Sequence, residues 1–199
     1  MARQTASTDD DAVALRPEDL HVVVPLTHSR LACAGAAAAF VIRRIAYRAG
    51  AYAPGIQEFL FNQLTTPRAG HSVDAVAEWF AGNLGELHGM GYRVVGRRIY
   101  GERTEEILRW IGEGNGFRGA LLATDFHQLH PTAEGDCQHA VGVVVDKLEP
   151  TGQDELVMAD PWPGTQNGAR DRDRVSPQLD AAHRSNKYAT IIFYWAGYS

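Results

Sequence analysis

Cys33, His139 and Asp160 are of the residue types that carry nucleophilic catalysis, and each stands where one element of structure should begin or end. Cys33 follows a polar, irregular segment, Thr27–Arg30, and opens an Ala-rich run. A thiol at a helix start meets the positive end of the helix dipole and several unpaired N–H groups, and both favour the nucleophilic thiolate. Ala34, Gly35, Ala36 and Ala37 leave room for a substrate and for a closely packed neighbour. His139 opens the run HAVGVVVD, a strand start that puts Val141 and Val143 on the same face. The sheet can hold such a residue while its ring faces a cleft. Asp160 closes the apolar run before Pro161, which stops the strand. The connection between these two strands, Lys147–Asp154, suits a hairpin that brings the end of one beside the start of the other. Asp160 can then accept a hydrogen bond from His139, orienting the base and stabilising its cation. Taken singly, each residue has an ordinary structural reading: a core thiol, a satisfied imidazole, a turn carboxylate before proline. The combination points to chemistry.

The rest of the chain must place these three groups. Met1 to Leu20 is rich in Asp, Ser and Thr and reads as a flexible tail, leaving 21–199 as a single domain. His21–Leu26 reads as a short strand. Helices are expected over Cys33–Arg48, with Gly50 at its C-terminal end, over Gly55–Leu64, and over Ser72–Leu87 with Ser72 as N-cap. A strand over Tyr92–Tyr100 precedes a helix over Glu105–Gly112, capped by Thr104 and carrying Glu105 and Glu106 in its first turn. Strands follow over Gly119–Thr124, His139–Asp146, Glu155–Asp160 and Lys187–Trp195. Helices first and strands afterwards imply an α+β fold with an antiparallel sheet.

Four segments resemble the C39-like branch of the papain-like cysteine peptidases: LACAGAAAA around Cys33, QHAVGVVVD around His139, LVMADPWPG around Asp160, and the helix–strand stretch Thr104–Thr124. The resemblance implies an N-terminal helical half carrying Cys33, packed against a C-terminal antiparallel sheet carrying His139 and Asp160. It also implies a peptidase- or amidase-type hydrolase that attacks a peptide or acyl substrate through a thioester. Papain-like acyltransferases and inactive binding modules share this shape and stay open as alternatives. Two positions depart from the family pattern. Ala34 follows the cysteine where glycine is usual, and His28 and Thr27 occupy the upstream positions where a glutamine usually supplies an oxyanion donor. His28 and Thr27 are therefore the candidate donors. Loss of one such donor costs about 3 kcal/mol of transition-state stabilisation.

Bulk properties narrow the partners. A formal net charge of −5 argues against a nucleic-acid binder, and Arg170, Arg172 and Arg174 are interleaved with Asp171 and Asp173 in a locally neutral loop. No apolar run reaches membrane-spanning length, and two cysteines are too few for a disulfide scaffold. Met1 to Asp11 is polar and acidic, unlike a secretory leader, so the expected location is the cytoplasm. The expected partner is a peptide, protein or small acyl substrate, with neither nucleic acid nor membrane, and no cofactor. His127, His130, Cys137 and His139 make a metal-type cluster. Pro131 and Gly135 give that segment the character of a loop, so no metal is expected. Cys137, two residues before His139, could reach Cys33 and form a reversible disulfide if the strand extends that far. His28, Gln57, Trp79 and Trp162 are candidates for lining the substrate pocket.

Overall fold

A computed structural model describes residues 33–50, 72–82, 93–132, 138–147, 154–161, 179–184, 187 and 189–197. The expected tail, the strand over His21–Leu26, the helix over Gly55–Leu64 and the segment Arg170–Arg174 lie outside the described residues, as do Thr27, His28, Gln57, Cys137 and Trp162.

The architecture is α+β. Helix α1 (Cys33–Arg48) and helix α2 (Val73–Gly82) come first, then β1 (Arg93–Ile99), α3 (Thr104–Gly112), β2 (Arg118–Asp125), α4 (Phe126–Leu129), β3 (Gln138–Lys147), β4 (Asp154–Ala159) and β5 (Thr190–Gly197). The strands form one sheet in the order β1-β5-β2-β3-β4. Every pair in it is antiparallel. This is the arrangement of helical half and C-terminal sheet anticipated from the sequence.

The sheet is covered on both faces, which explains why its central strands are apolar at nearly every position. One face packs against α1 and α2 through Leu121, Ala123, Ala140, Val144, Val157, Ala159, Ile191 and Phe193. The other packs Ala120, Leu122, Val141, Val143 and Met158 against Ile107, Leu108 and Ile111 of α3 and against Leu179 and Ala182. Alternate residues of each strand serve alternate layers, as the period of two requires.

Close approach of α1 to the sheet depends on missing side chains. A Cβ on Gly142 would lie 2.8 Å from the Ala37 carbonyl oxygen and 2.7 Å from Val41 Cγ2. The small residues Ala34, Ala37 and Ala38 are buried in the same interface. Past Arg48 the chain turns through Gly50 at φ +69°, with its N–H donating to the Tyr47 carbonyl at 2.9 Å. Glycine bears that left-handed conformation without strain. Ser72 caps α2 as expected, its Oγ accepting from the Ala75 N–H at 3.1 Å.

Three expectations need correcting. Thr104 is not the cap of α3. Arg103, extended at φ −74°, ψ 143°, holds the N-cap position, and its N–H donates to Glu106 Oε2 at 3.4 Å. Thr104 is drawn instead into a buried contact with His183, Oγ1 to Nδ1 3.1 Å. The stretch around His127 is not a loop: β2 runs directly into α4. The last strand starts at Thr190, with Lys187 in a turn whose N–H donates to the Arg184 carbonyl.

Candidate active site

The sheet brings its polar groups together at one end. In the β2–β3 register Thr124 stands opposite His139 and Asp125 opposite Gln138, so β2 finishes where β3 starts. In the β3–β4 register Ala159 stands opposite Gly142, which leaves Asp160, the next residue, at the same end. The Thr124 hydroxyl donates to the His139 carbonyl at 3.2 Å and fixes the backbone from which the ring projects.

His139 and Asp160 are both buried, at 3% exposure each. The ring Nε2 lies 2.7 Å from Asp160 Oδ1. The Cys33 thiol, on the first residue of α1 and 7% exposed, is near enough to the same ring to raise its pKa. The structure thus brings together Cys33, His139 and Asp160. Burial works against charge on His139, but the hydrogen bond to Asp160, then the Cys33 thiol, and the charges of both partners outweigh it, and the pKa rises to about 9. An imidazole so placed carries its proton at neutral pH.

The site contains a second imidazole. His130 Nε2 lies 2.8 Å from Asp160 Oδ2, so each carboxylate oxygen faces one histidine. The two rings meet edge to face, with centroids 5.3 Å apart and an interplanar angle of 77°, and Phe126 packs on both. His130 gets there because Asp125 turns the chain. The Asp125 carboxylate accepts from the N–H groups of His127 and Gln128 and so starts α4, one turn later reaching His130, whose own N–H donates to the Phe126 carbonyl. Arg184, 2.9 Å from the other Asp125 oxygen, holds that carboxyl below its usual pKa, with the two backbone donors assisting.

The metal-type grouping that forms differs from the one the sequence suggested. His130, His139 and Asp160 have ligand atoms within 4.8 Å of one another, whereas His127 is exposed. Each imidazole nitrogen sits 2.7–2.8 Å from its own carboxylate oxygen. Two ligands bound about 2.0–2.1 Å from one tetrahedral ion stand about 3.3 Å apart, farther than either spacing; His139 makes a hydrogen bond to Asp160, and His130 an ion-pair contact. Trp79, a pocket candidate, is half-buried against the core beside α1. A surface cavity of about 520 Å³ is lined by Trp110, Phe117, Arg118 and Tyr194 among others, and by none of the four site residues.

No family model matches the chain, and no curated protein does. The crystal structure of a presumed C39-like peptidase from Bacillus anthracis resembles it with a TM-score of 0.45 and 12% identity, covering 82% of this chain and 88% of that one. So distant a likeness says nothing about chemistry, and the functional reading rests on the site itself. No helix among the described residues is long and apolar enough to cross a membrane.

Proposed function

We propose that the protein is a papain-like thiol hydrolase acting on a peptide or acyl substrate, with Cys33 as nucleophile, His139 as acid and base, and Asp160 as the group that orients His139. The observation that supports this most directly is the buried His139 ring held between the Asp160 carboxylate and the Cys33 thiol. In this reading the Cys33 thiolate attacks the carbonyl carbon, forming a C–S bond and an oxyanion. Collapse breaks the bond to the leaving amine or alcohol, which takes its proton from the His139 imidazolium. Water, deprotonated by His139, then attacks the thioester; the acid leaves and the thiol is restored. The Cys33 backbone N–H, at the start of α1, can donate to the oxyanion, and Thr27 or His28 would supply the second donor. An amine taking the place of water would make the same site an acyltransferase. A reduced thiol fits a reducing compartment such as the cytoplasm.

The test is iodoacetamide labelling near pH 6, with the modified residue mapped by mass spectrometry in wild type and in His139→Ala. Cys33 should label in the wild type, and at least about tenfold more slowly in the variant, because free thiols are almost wholly protonated there. Absence of labelling at Cys33 in the folded wild type would leave a binding module of the same shape.

A further inference from the structure

We propose that the open cavity beside α3 is a second ligand site, one that takes a carboxylate carried on an aromatic group. The inference is independent of the thiol chemistry. Arg118 opens β2 and Asp125 closes it, so about 23 Å of strand separates the cavity from the end of the sheet that holds His139 and Asp160. The cavity, about 520 Å³, falls within the roughly 300–1,000 Å³ range of small-ligand sites.

Its floor is the α3 face of the sheet. Ile192 packs toward α3, and alternation puts Tyr194 on the same face of β5. Arg118 stands opposite Tyr194 in β2, and Arg97 opposite Ile192 in β1, so an arginine rises on either side of that floor. Trp110 and Phe117 complete the lining. Phe117 is 38% exposed, yet its backbone is fixed: its N–H donates to the Gly114 carbonyl at 2.9 Å, and its carbonyl accepts from the Trp195 N–H at 3.0 Å. A lone exposed ring would be ordinary; one held rigidly beside Trp110 and Tyr194 makes a surface on which another ring can stack. Arg118 is prearranged. Its stem lies so close to Gly114 that a Cβ there would stand 2.5 Å from Cγ and Cδ. Its guanidinium covers the Trp110 ring at 4.9 Å, and Nη1 donates to the Trp110 carbonyl at 3.1 Å. That bond caps a carbonyl near the end of α3, an ordinary structural duty, and leaves most of the planar fork for a carboxylate. With one cation already on the Trp110 ring and Arg97 across the floor, a cationic ligand would be repelled. Arg97 is exposed and forms no ion pair among the described residues. Two arginines set against Glu113, the only acid among the described lining residues, leave one net positive charge, which matches a monoanion rather than a phosphate dianion.

The experiment is an NMR titration of the ¹⁵N-labelled protein with N-acetyl-L-tryptophan, read at the Trp110 indole N–H and the Phe117 amide, with N-acetyl-L-tryptophanamide as the uncharged control. A ligand of about 18 non-hydrogen atoms at ordinary efficiency binds with a Kd of about 0.1 mM, and the amide should bind at least about tenfold more weakly. Arg97→Gln should weaken binding by about fivefold, and Glu113→Gln should strengthen it by about threefold. Both positions are exposed, so neither change should move the urea melt. A tetrapeptide ending in a free tryptophan carboxylate identifies the source. Binding at least as tight as that of the single residue assigns the site to peptide C-termini; binding confined to the single residue assigns it to a small aromatic acid. Equal binding of acid and amide, tighter binding of phenyl phosphate, or no shift at these two signals overturns the proposal.

Discussion

Replacing Asp160 with Asn changes charge at constant shape and so isolates what the carboxylate does. The amide oxygen can still accept from His139. What disappears is the negative charge 2.7 Å from His139 Nε2. Burial pulls the His139 pKa down, the hydrogen bond and charge of Asp160 and, less strongly, those of Cys33 pull it up, and the balance stands at about 9. With the carboxylate gone, only Cys33 still opposes burial, and the midpoint should fall toward the ordinary value of 6.5, by about 2 units, or about 3 kcal/mol of lost preference for the cation. Stability carries the same signature. Because the folded-state pKa lies above the unfolded value, His139 contributes its full stabilisation below about pH 6.5, and that contribution disappears as pH rises through about 9. Wild type should therefore lose about 3 kcal/mol of unfolding free energy across this window through His139, and Asp160→Asn should lose little. ¹³C-histidine NMR gives the midpoint, and urea melts at pH 6 and 9.5 give the energies. A midpoint near 9 in folded Asp160→Asn would refute the reasoning, since the charge would then come from elsewhere.

Three further outcomes follow from other parts of the fold. Gly142→Ala should destabilise the protein by about 1–3 kcal/mol in urea melts and slow labelling of Cys33, because the new methyl meets the Ala37 carbonyl and forces α1 off the sheet; an unchanged melt and labelling rate would show that the interface has slack. His183 donates or accepts between Thr104 and Thr190, and burial, aided by Arg184 and opposed by Asp180, lowers its pKa to about 4. The unfolded chain takes up that proton below about pH 6.5 while the folded one does not until about pH 4, so stability should fall by at most about 3 kcal/mol on acidification, and His183→Gln should flatten that slope in melts at pH 7 and 4.5. Asp125→Ala removes the cap of α4 and one partner of Arg184; it should cost about 1 kcal/mol in a melt, and an unchanged melt would show that the cap contributes nothing.

The parts of the fold legible in the sequence were those governed by local rules. The Ala-rich run from Cys33 and the glycine at position 50 gave α1 its observed bounds, Ser72 gave α2 its cap, and alternating or continuous apolar runs gave β1 to β4 within one or two residues. The meeting of His139 and Asp160 was readable because a hairpin connects their strands. Harder to read were effects of distant neighbours. Thr104 looks like a cap, yet a contact with His183, 79 residues away, engages its hydroxyl and Arg103 takes the cap position. His130 carried a signal that competing residues obscured: Pro131 and Gly135 suggest a loop, whereas Asp125 directly after a buried strand, with two backbone N–H groups in reach, starts a helical turn. The pairing of β5 with β1 and β2 leaves no local mark at all, since it joins segments that are far apart in sequence.

That last pairing governs how the sheet can be assembled. β5 sits between β1 and β2 although it follows every other described strand along the chain. Until residues 190–197 have been made, β1 lacks its described partner in the sheet and β2 keeps an open edge, the kind of surface on which strands of other molecules can add. Synthesis from the N-terminus can form the β2–β3–β4 meander early, but the site's supporting sheet is complete only when the last strand slides into the gap, a long-range closure that slows folding.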